Sequence, residues 1–131
     1  MIFSLKEVFV LERWKFGINN NKLIELVLSN KKRATTSLYI DDTRLPKTNE
    51  ESIICYDNNN PACIVKTIDY KIMKFCEMTD DLALLEGEGN LSNWKKIHYD
   101  FFKSIDPSFN EESKIIFEIF QVVCKGDDSN E

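Results

Sequence analysis

The fold of this chain is decided by the stretch Ser52-Ile53-Ile54-Cys55-Tyr56-Asp57-Asn58-Asn59-Asn60-Pro61-Ala62-Cys63-Ile64-Val65-Lys66-Thr67-Ile68. Both ends are rich in residues that favour strands, and residues 57–61 between them are all turn formers. Two such runs on either side of a short turn predict a β-hairpin. We expect its second strand to continue through Tyr70 and Ile72 to Phe75.

The segments outside the hairpin add further strands and helices. Residues 114–124 are apolar at nearly every position, as expected for a strand covered on both faces. Thr35, Thr36 and Tyr39 favour a second extended segment. Three helices are predicted: residues 23–28 ending at Asn30, a short helix after Thr79, and an aromatic helix after Asn90. This order predicts an α+β fold with a mixed, largely antiparallel sheet.

The length of 131 residues is typical of one domain, so residues 1–131 are predicted to form a single unit. Residues 1–13 are its N-terminal lead. Apolar residues recur at helical intervals within segment 1–16, which predicts a short amphipathic helix there. Residues 125–131 are polar and are predicted to form a disordered tail.

The net charge of −5 bears on the partners. Because duplex nucleic acid is bound by neutralising phosphates, an acidic chain is a poor non-specific binder of duplexes. Binding of a short single strand or a nucleoside in a local basic pocket is compatible with this net charge. No apolar run approaches the roughly 20 residues of a membrane span, and Lys6 and Glu7 interrupt the start too early for a signal peptide. We therefore predict a cytoplasmic protein with no membrane partner.

The four cysteines contain no Cys-x-x-Cys pair, and the single histidine cannot complete a standard zinc set with them. We expect reduced, mostly buried thiols and no structural metal. The hairpin offers a position in which Cys55 and Cys63 would face each other as packed thiols.

A basic segment, Lys31-Lys32-Arg33-Ala34-Thr35-Thr36-Ser37, leaves the first predicted helix. A partly buried lysine can act as a base on a hydroxyl or a water. Residues three apart in a regular strand point to opposite faces, so Lys32 and Thr35 converge only if the chain turns, which Asn30 permits. Alternatively, these are solvated cations at a helix C-terminus, followed by β-forming threonines.

An acidic turn, Glu86-Gly87-Glu88-Gly89-Asn90, leads into the aromatic helix. A carboxyl in a low-dielectric pocket can donate a proton, which makes Glu86 and Glu88 candidate acids. The alternative is a helix end with exposed glutamates. Trp94 and His98 lie on the apolar helix face, where core packing is the commoner role for both residue types.

Several blocks occur in order along the chain: Trp14-Lys15-Phe16-Gly17, Leu26-Val27-Leu28 running into Lys32-Arg33-Ala34-Thr35-Thr36-Ser37, Leu45-Pro46, Glu86-Gly87-Glu88-Gly89-Asn90-Leu91 with Trp94 and His98, and Phe101-Phe102. Their combination resembles the ASCH domain family, over about residues 14 to 124. Asn30 stands where the family usually has glycine, and Asn90 where it usually has aspartate. Both keep a helix end or cap, but they weaken the expectation of a metal at the acidic turn.

The resemblance implies a fold and a chemistry. The family resembles the PUA superfamily, which implies a small PUA-like β-barrel of mostly antiparallel strands with helices flanking a cleft for RNA or a nucleoside. Some members are described as metal-assisted ribonucleases, so a divalent metal is implied for that activity alone. A bacterial branch hydrolyses the acetyl amide of acetylated cytidine. Its lysine base, its threonine nucleophile three residues later and its glutamate acid match Lys32, Thr35 and Glu86.

Two main functions follow. The first is a hydrolase acting on RNA or an acylated cytidine, with Thr35 or a water attacking. The second is a non-catalytic RNA-binding module that uses the same cleft. A structural or interaction domain would explain the acidic surface but not the combined blocks. Candidate substrate contacts are Lys31 and Arg33 for phosphate, Tyr39 and Trp94 for base stacking, and Thr36, Ser37, Glu88 and His98 around them.

Overall fold

The computed structural model describes residues 11–41, 43–87 and 89–126 of the chain. Within those ranges the chain forms a single sheet with helices packed on it. The strands are β1 (Glu12–Trp14), β2 (Ala34–Leu38), β3 (Glu51–Cys55), β4 (Pro61–Lys74) and β5 (Lys114–Lys125). The α-helices are α1 (Asn20–Leu28), α2 (Asp80–Leu85) and α3 (Leu91–Ile105), and a 3-10 turn spans Phe75–Glu77.

The sheet has the strand order β1-β3-β4-β5-β2. The predicted hairpin is confirmed, with Ile53 opposite Ile64 in the antiparallel pair β3–β4, and β4–β5 and β5–β2 are also antiparallel. Strand β1 runs parallel to β3. The α+β class is therefore confirmed, but the predicted mostly antiparallel barrel is corrected. The described strands form a mixed half-barrel whose edges, β1 and β2, do not pair with each other.

Two irregularities in the β4–β5 pairing, one on each strand, account for the curl of the sheet. The register between β4 and β5 shifts between Ile64 and Val65 and again between Thr67 and Asp69. Each shift inserts an extra residue, which bends the strand and increases its twist. The concave face that results carries Phe120, Val65 and Ile54, which pack with Phe16 and helix α1.

The predicted end of α1 and the predicted caps of α2 and α3 are confirmed, but α1 begins at Asn20, three residues before its predicted start. Asn30 has φ 64°, the left-handed conformation expected for a residue that ends α1. Thr79 Oγ1 accepts a hydrogen bond from the Leu82 amide at 3.3 Å, which caps α2. Asn90 Oδ1 accepts from the Asn93 amide at 2.9 Å, which caps α3.

The other face of the sheet holds the larger core. Helices α2 and α3 cover it with a cluster of buried aromatic side chains, in which Trp94 and Phe75 stack at 5.2 Å between ring centroids. Strand β5 supplies Ile115 and Phe117 to this cluster. Strand β5 is thus buried on both faces, as its unbroken apolar pattern predicts.

Two expectations about the chain ends are corrected. The lead is extended at Glu12–Trp14, where it pairs with β3, and residues 1–10 lie outside the described ranges. The tail starts later than predicted, because Lys125 ends β5 and the Gly126 amide donates to the Ala62 carbonyl at 2.7 Å. Residues 127–131 also lie outside the described ranges.

The cysteines do not face each other as expected. A shift at the end of β3 places Cys55 opposite Pro61, and Cys63 opposite Ile54. All four cysteines are free thiols, but only two are buried, since Cys76 is exposed and Cys124 is partly so. Burial raises the pKa of the Cys63 thiol to about 11, which makes it unreactive. No helix in the described part of the chain is long and apolar enough to span a membrane.

Candidate functional site

Backbone hydrogen bonds draw the basic segment onto the end of helix α2. After the left-handed turn at Asn30, the amides of Lys31 and Lys32 both donate to the Leu26 carbonyl, at 2.8 and 3.0 Å. The Arg33 amide then donates to the Leu85 carbonyl at 2.7 Å. The chain therefore passes the C-terminus of α2 just before it enters β2.

Gly87 allows the acidic turn to approach this segment closely. Its φ is +75°, and a Cβ at this position would lie 2.7 Å from the Lys31 carbonyl oxygen. Together the two facts favour glycine, because most other residues are strained in this conformation and a side chain here would collide with the Lys31 backbone. The glycine of the turn thus fixes Glu86 beside Lys32.

Lys32 and Glu86 form a buried ion pair, which we call the buried pair. Lys32 Nζ lies 3.0 Å from Glu86 Oε1 and donates a second hydrogen bond to the Glu86 carbonyl oxygen at 3.2 Å. Both side chains are 1% exposed. Thr36 Oγ1 donates to the other carboxylate oxygen, Oε2. A buried pair of this kind is costly to desolvate, so its presence is weak evidence for a stabilising role.

Aromatic groups enclose the buried pair. The Phe16 ring lies over Lys32 Nζ at 5.3 Å from its centroid, within the range of a cation–π contact. His98 approaches from α3, with Nε2 3.7 Å from Glu86 Oε1. Its Nδ1 donates to the Trp94 carbonyl at 2.9 Å, since a carbonyl can only accept. His98 Nε2 therefore faces the carboxylate.

A cavity of about 420 Å³ opens on the concave face of the sheet, which is within the size range of small-molecule sites. A smaller space of about 50 Å³ adjoins it and is lined by Lys32, Glu86 and His98. The two spaces share five lining residues: Phe16, Gly17, Thr35, Thr36 and Phe101. The buried pair therefore borders the cavity across the two threonines.

The two threonines have different surroundings. Thr36 is bonded to Glu86, whereas Thr35 makes no side-chain hydrogen bond within the described ranges. Thr35 lies directly opposite Glu118 in the β2–β5 ladder, so both side chains project from the same face. Thr35 thus presents an uncommitted hydroxyl to the cavity, beside a carboxyl group.

Glu118 lies on the cavity wall, where Thr67 Oγ1 donates to its Oε2 at 2.6 Å. Burial raises the pKa of the Glu118 carboxyl, with smaller contributions from nearby Glu50 and Glu12, and the Thr67 hydrogen bond opposes this shift. A carboxyl group that is largely removed from water is costly unless it is hydrogen-bonded, and Thr67 supplies one such bond.

A second set of charges borders the cavity at its exposed side, and we call it the outer charge cluster. Arg44 joins two carboxylates there, with Nη1 2.6 Å from Glu12 Oε1 and Nη2 2.8 Å from Glu50 Oε2. These contacts raise the pKa of Arg44, first through the charge of Glu50 and then that of Glu12. Three carboxyl groups line the cavity against the cations Arg44 and Lys15.

Some predicted contacts do not reach this site. The side chains of Lys31 and Arg33 are exposed, and neither they nor Tyr39 line the two spaces. Trp94 is fully buried in the core, where it stacks on His98 at 4.3 Å between ring centroids rather than facing a ligand. Ser37 is exposed and lines the cavity. Glu88 lies outside the described ranges.

Sequence reasoning missed Glu118, Thr67 and the outer charge cluster. The sequence does distinguish Glu118, because an ionisable residue in the middle of a mostly apolar strand is unusual. It does not distinguish Thr67, since a threonine in a strand is ordinary. No group of three or more metal-ligating side chains is close enough to hold a metal ion within the ranges 11–41, 43–87 and 89–126.

The sequence matches the family model of the ASCH domain over residues 12–124. The chain belongs to the ASCH domain family. ASCH domains are generally thought to bind RNA. Among curated proteins, none matches the sequence of this ASCH domain.

Solved structures give the same result for the fold. An ASCH domain from Lactobacillus crispatus is 23% identical and superposes with a TM-score of 0.83, covering 93% of this chain and 87% of that one. A protein from Enterococcus faecalis is 28% identical with a TM-score of 0.79, covering 92% of this chain and 85% of that one. Both are similar to this ASCH domain along nearly its whole length.

Proposed function

We propose that this ASCH domain hydrolyses the acyl amide on the exocyclic amine of an acylated cytidine. The observation that carries the proposal is the buried pair, which borders a ligand-sized cavity at the uncommitted hydroxyl of Thr35. Lysine, threonine and glutamate are the residues that the resemblance assigns to base, nucleophile and acid. Two of the three, Lys32 and Glu86, are in direct contact.

The contact between Lys32 and Glu86 supplies both proton carriers at once. Transfer of a proton from Nζ to Oε1 across 3.0 Å converts the ion pair into an amine and a carboxylic acid. The amine then accepts the Thr35 hydroxyl proton while Oγ1 bonds to the acyl carbon. The acid protonates the departing exocyclic amine, and the C–N bond breaks. The ion pair is restored, and Thr35 carries the acyl group as an ester.

Water completes the cycle by the same route. A second proton transfer within the buried pair again gives an amine and an acid. The amine accepts a proton from water as its oxygen bonds to the acyl carbon, and the acid protonates Thr35 Oγ1 as the ester breaks. The products are the free amine of the nucleoside and a carboxylic acid, and the ion pair is again restored.

The charge of the cavity favours an unphosphorylated ligand. Glu12, Glu50 and Glu118 line it, and Arg44 is already bonded to two of these carboxylates. The exposed Lys31 and Arg33 lie away from the cavity. A phosphate would meet three carboxylates, and of the two cations that line the cavity, Arg44 is already paired and Lys15 is exposed.

The second candidate is a non-catalytic RNA-binding module. It is favoured by the exposed side chains of Lys31 and Arg33, which could contact phosphate on the surface. In that case Glu86 only holds Lys32 and the turn in place.

A turnover assay separates the two functions. Wild type is incubated with acetylated cytidine and with short single-stranded RNA, with and without Mg²⁺, alongside Lys32→Met and the matched surface variant Lys22→Ala. We expect wild type and Lys22→Ala to release cytidine and acetate without metal, and Lys32→Met to release neither. Equal turnover by Lys32→Met contradicts the role of Lys32. Tight RNA binding without turnover favours the second candidate.

A further inference from the structure

We propose that Glu118, held by Thr67, is a specificity-determining residue that binds an N–H or O–H donor of the ligand. The proposal rests on the hydrolase function above, because it concerns the ligand of the same cavity. Two observations carry it: the position of Glu118 beside Thr35 on the cavity wall, and the hydrogen bond from Thr67 that engages only one of its two carboxyl oxygens.

The register places Glu118 next to the proposed reacting group. Glu118 and Thr35 are direct cross-strand neighbours, and such neighbours have Cβ atoms about 4.5–5.5 Å apart. An acyl group within reach of Thr35 Oγ1 therefore brings the adjoining atoms of the ligand to Glu118. In an acylated amine, those atoms include an N–H.

The hydrogen bond from Thr67 orients the carboxyl group. Thr67 is itself buried, and its backbone is tied to the chain before β3, with its amide donating to the Glu50 carbonyl at 2.9 Å. Its hydroxyl engages Oε2 at 2.6 Å. Oε1 has no hydrogen-bond partner in the described part of the chain, and it is the oxygen available to a ligand.

The other two carboxylates that line the cavity, Glu12 and Glu50, belong to the outer charge cluster and already bind Arg44. Glu12 and Glu50 each bind Arg44 through one carboxylate oxygen. The side chains of both glutamates are more exposed to solvent than Thr67, which is buried. Glu118 is the carboxyl group beside Thr35 that has no cationic partner among the described residues. It therefore selects ligands that offer a donor and disfavours those that offer only acceptors.

Glu118→Gln tests the inference because it keeps the size of the side chain and replaces one carboxyl oxygen with an NH₂ donor. Thr67 Oγ1 still needs an acceptor, so it would hold the amide oxygen and direct the NH₂ group to the cavity. A donor then meets a donor, and one group is left unsatisfied. At pH 7.5 we expect the Kd for cytidine and the KM for acetylated cytidine to rise on the order of tenfold. Because Glu118 binds rather than reacts, kcat should change less.

Thr67 provides a second, independent variant. Thr67→Val removes the hydroxyl and frees the carboxyl to rotate, so we expect a smaller rise in Kd and KM. Thr67→Ser keeps the hydroxyl and should restore wild-type values. Glu51→Gln makes the same substitution on β3 outside the cavity and should leave both constants unchanged.

The experiment measures cytidine binding by calorimetry and turnover of acetylated cytidine for all five proteins. Weaker binding by Glu118→Gln supports the inference even if wild type shows no turnover, in which case only the hydrolase function fails. Unchanged Kd and KM in Glu118→Gln overturn the inference, even if wild type hydrolyses the substrate. Failure of wild type to bind cytidine at millimolar concentration also overturns it.

Discussion

Two sets of ion pairs border the same cavity, and they differ in almost every physical respect. In the buried pair, both side chains of Lys32 and Glu86 are 1% exposed. In the outer charge cluster, Arg44 is 54% exposed, and its partners Glu12 and Glu50 are 58% and 35% exposed. The distances are alike, at 3.0 Å against 2.6 and 2.8 Å.

The difference shows that distance alone does not indicate what an ion pair is for. Exposed pairs are screened by water, so we expect the outer charge cluster to contribute little to stability. Its charges lie at the exposed side of the cavity. A buried pair pays a large desolvation penalty, and apolar residues of similar volume are often at least as stabilising. Burial of the pair is therefore weak evidence for a stabilising role, and the following variants test the contrast between the two sets of charges.

The largest effect is expected when one member of the buried pair is removed. Glu86→Leu removes the carboxylate that pairs with the buried Lys32 ammonium, which should lower the free energy of unfolding by about 3–5 kcal/mol. The double variant Lys32→Met/Glu86→Leu removes both charges and should recover most of that loss. Urea denaturation followed by circular dichroism measures both. A double variant less stable than Glu86→Leu would show that the pair is held for stability.

The next effect concerns the turn that positions Glu86. Gly87→Ala places a side chain in the left-handed region, against the Lys31 carbonyl, and should cost about 1–2 kcal/mol or more. The matched variant Asn30→Gly relieves a left-handed residue at φ 64° in the same region and should not destabilise. Thermal denaturation compares the two. Equal melting temperatures would mean that the turn tolerates displacement.

A smaller, pH-dependent effect is expected at Glu118. Because burial raises its pKa above the ordinary 4.5, the folded state binds the proton more tightly than the unfolded state. This contribution is fully present below pH 4.5 and is lost as the pH rises through the raised pKa. Glu118→Gln cannot titrate, so its stability relative to wild type should increase over that window. Parallel pH profiles of the melting temperatures would contradict the shift.

The smallest effect is expected at the outer charge cluster. Arg44→Met removes two exposed ion pairs and should leave the melting temperature nearly unchanged. Any difference should shrink further in about 1 M NaCl, where the Debye length falls to about 3 Å. A loss of stability comparable to that of Glu86→Leu would remove the contrast between the two sets of charges.

Local sequence patterns predict much of the fold but not its closure. The hairpin, the caps at Thr79 and Asn90 and the left-handed turn at Asn30 all follow from neighbouring residues, and all are confirmed. The parallel pairing of β1 with β3 is different. It joins residues about 40 positions apart, and three residues are too short for a periodic signal.

The candidate site likewise contains residues that the sequence could predict and residues that it could not. Lys32 and Glu86 could be named from the resemblance, and Asn30 gave a local reason for a turn where Lys31 and Lys32 leave the first helix, but the approach of Gly87 to Lys31 was not predicted. Whether Thr35 or Thr36 meets Glu86 depends on the register of β2 against β5 and on the path of the acidic turn. The spacing of residues in the sequence determines neither that register nor that path. Glu118 and Thr67 meet through a shift in the register of β4, which the sequence does not mark.

The most direct test of the account is the activity of the folded double variant Lys32→Met/Glu86→Leu. Its kcat on acetylated cytidine is compared with that of wild type and Lys22→Ala, at a temperature at which circular dichroism shows all three folded. The account predicts a loss of at least about 100-fold in kcat, since the base and the acid are both absent. A folded double variant that retains the wild-type kcat would contradict it.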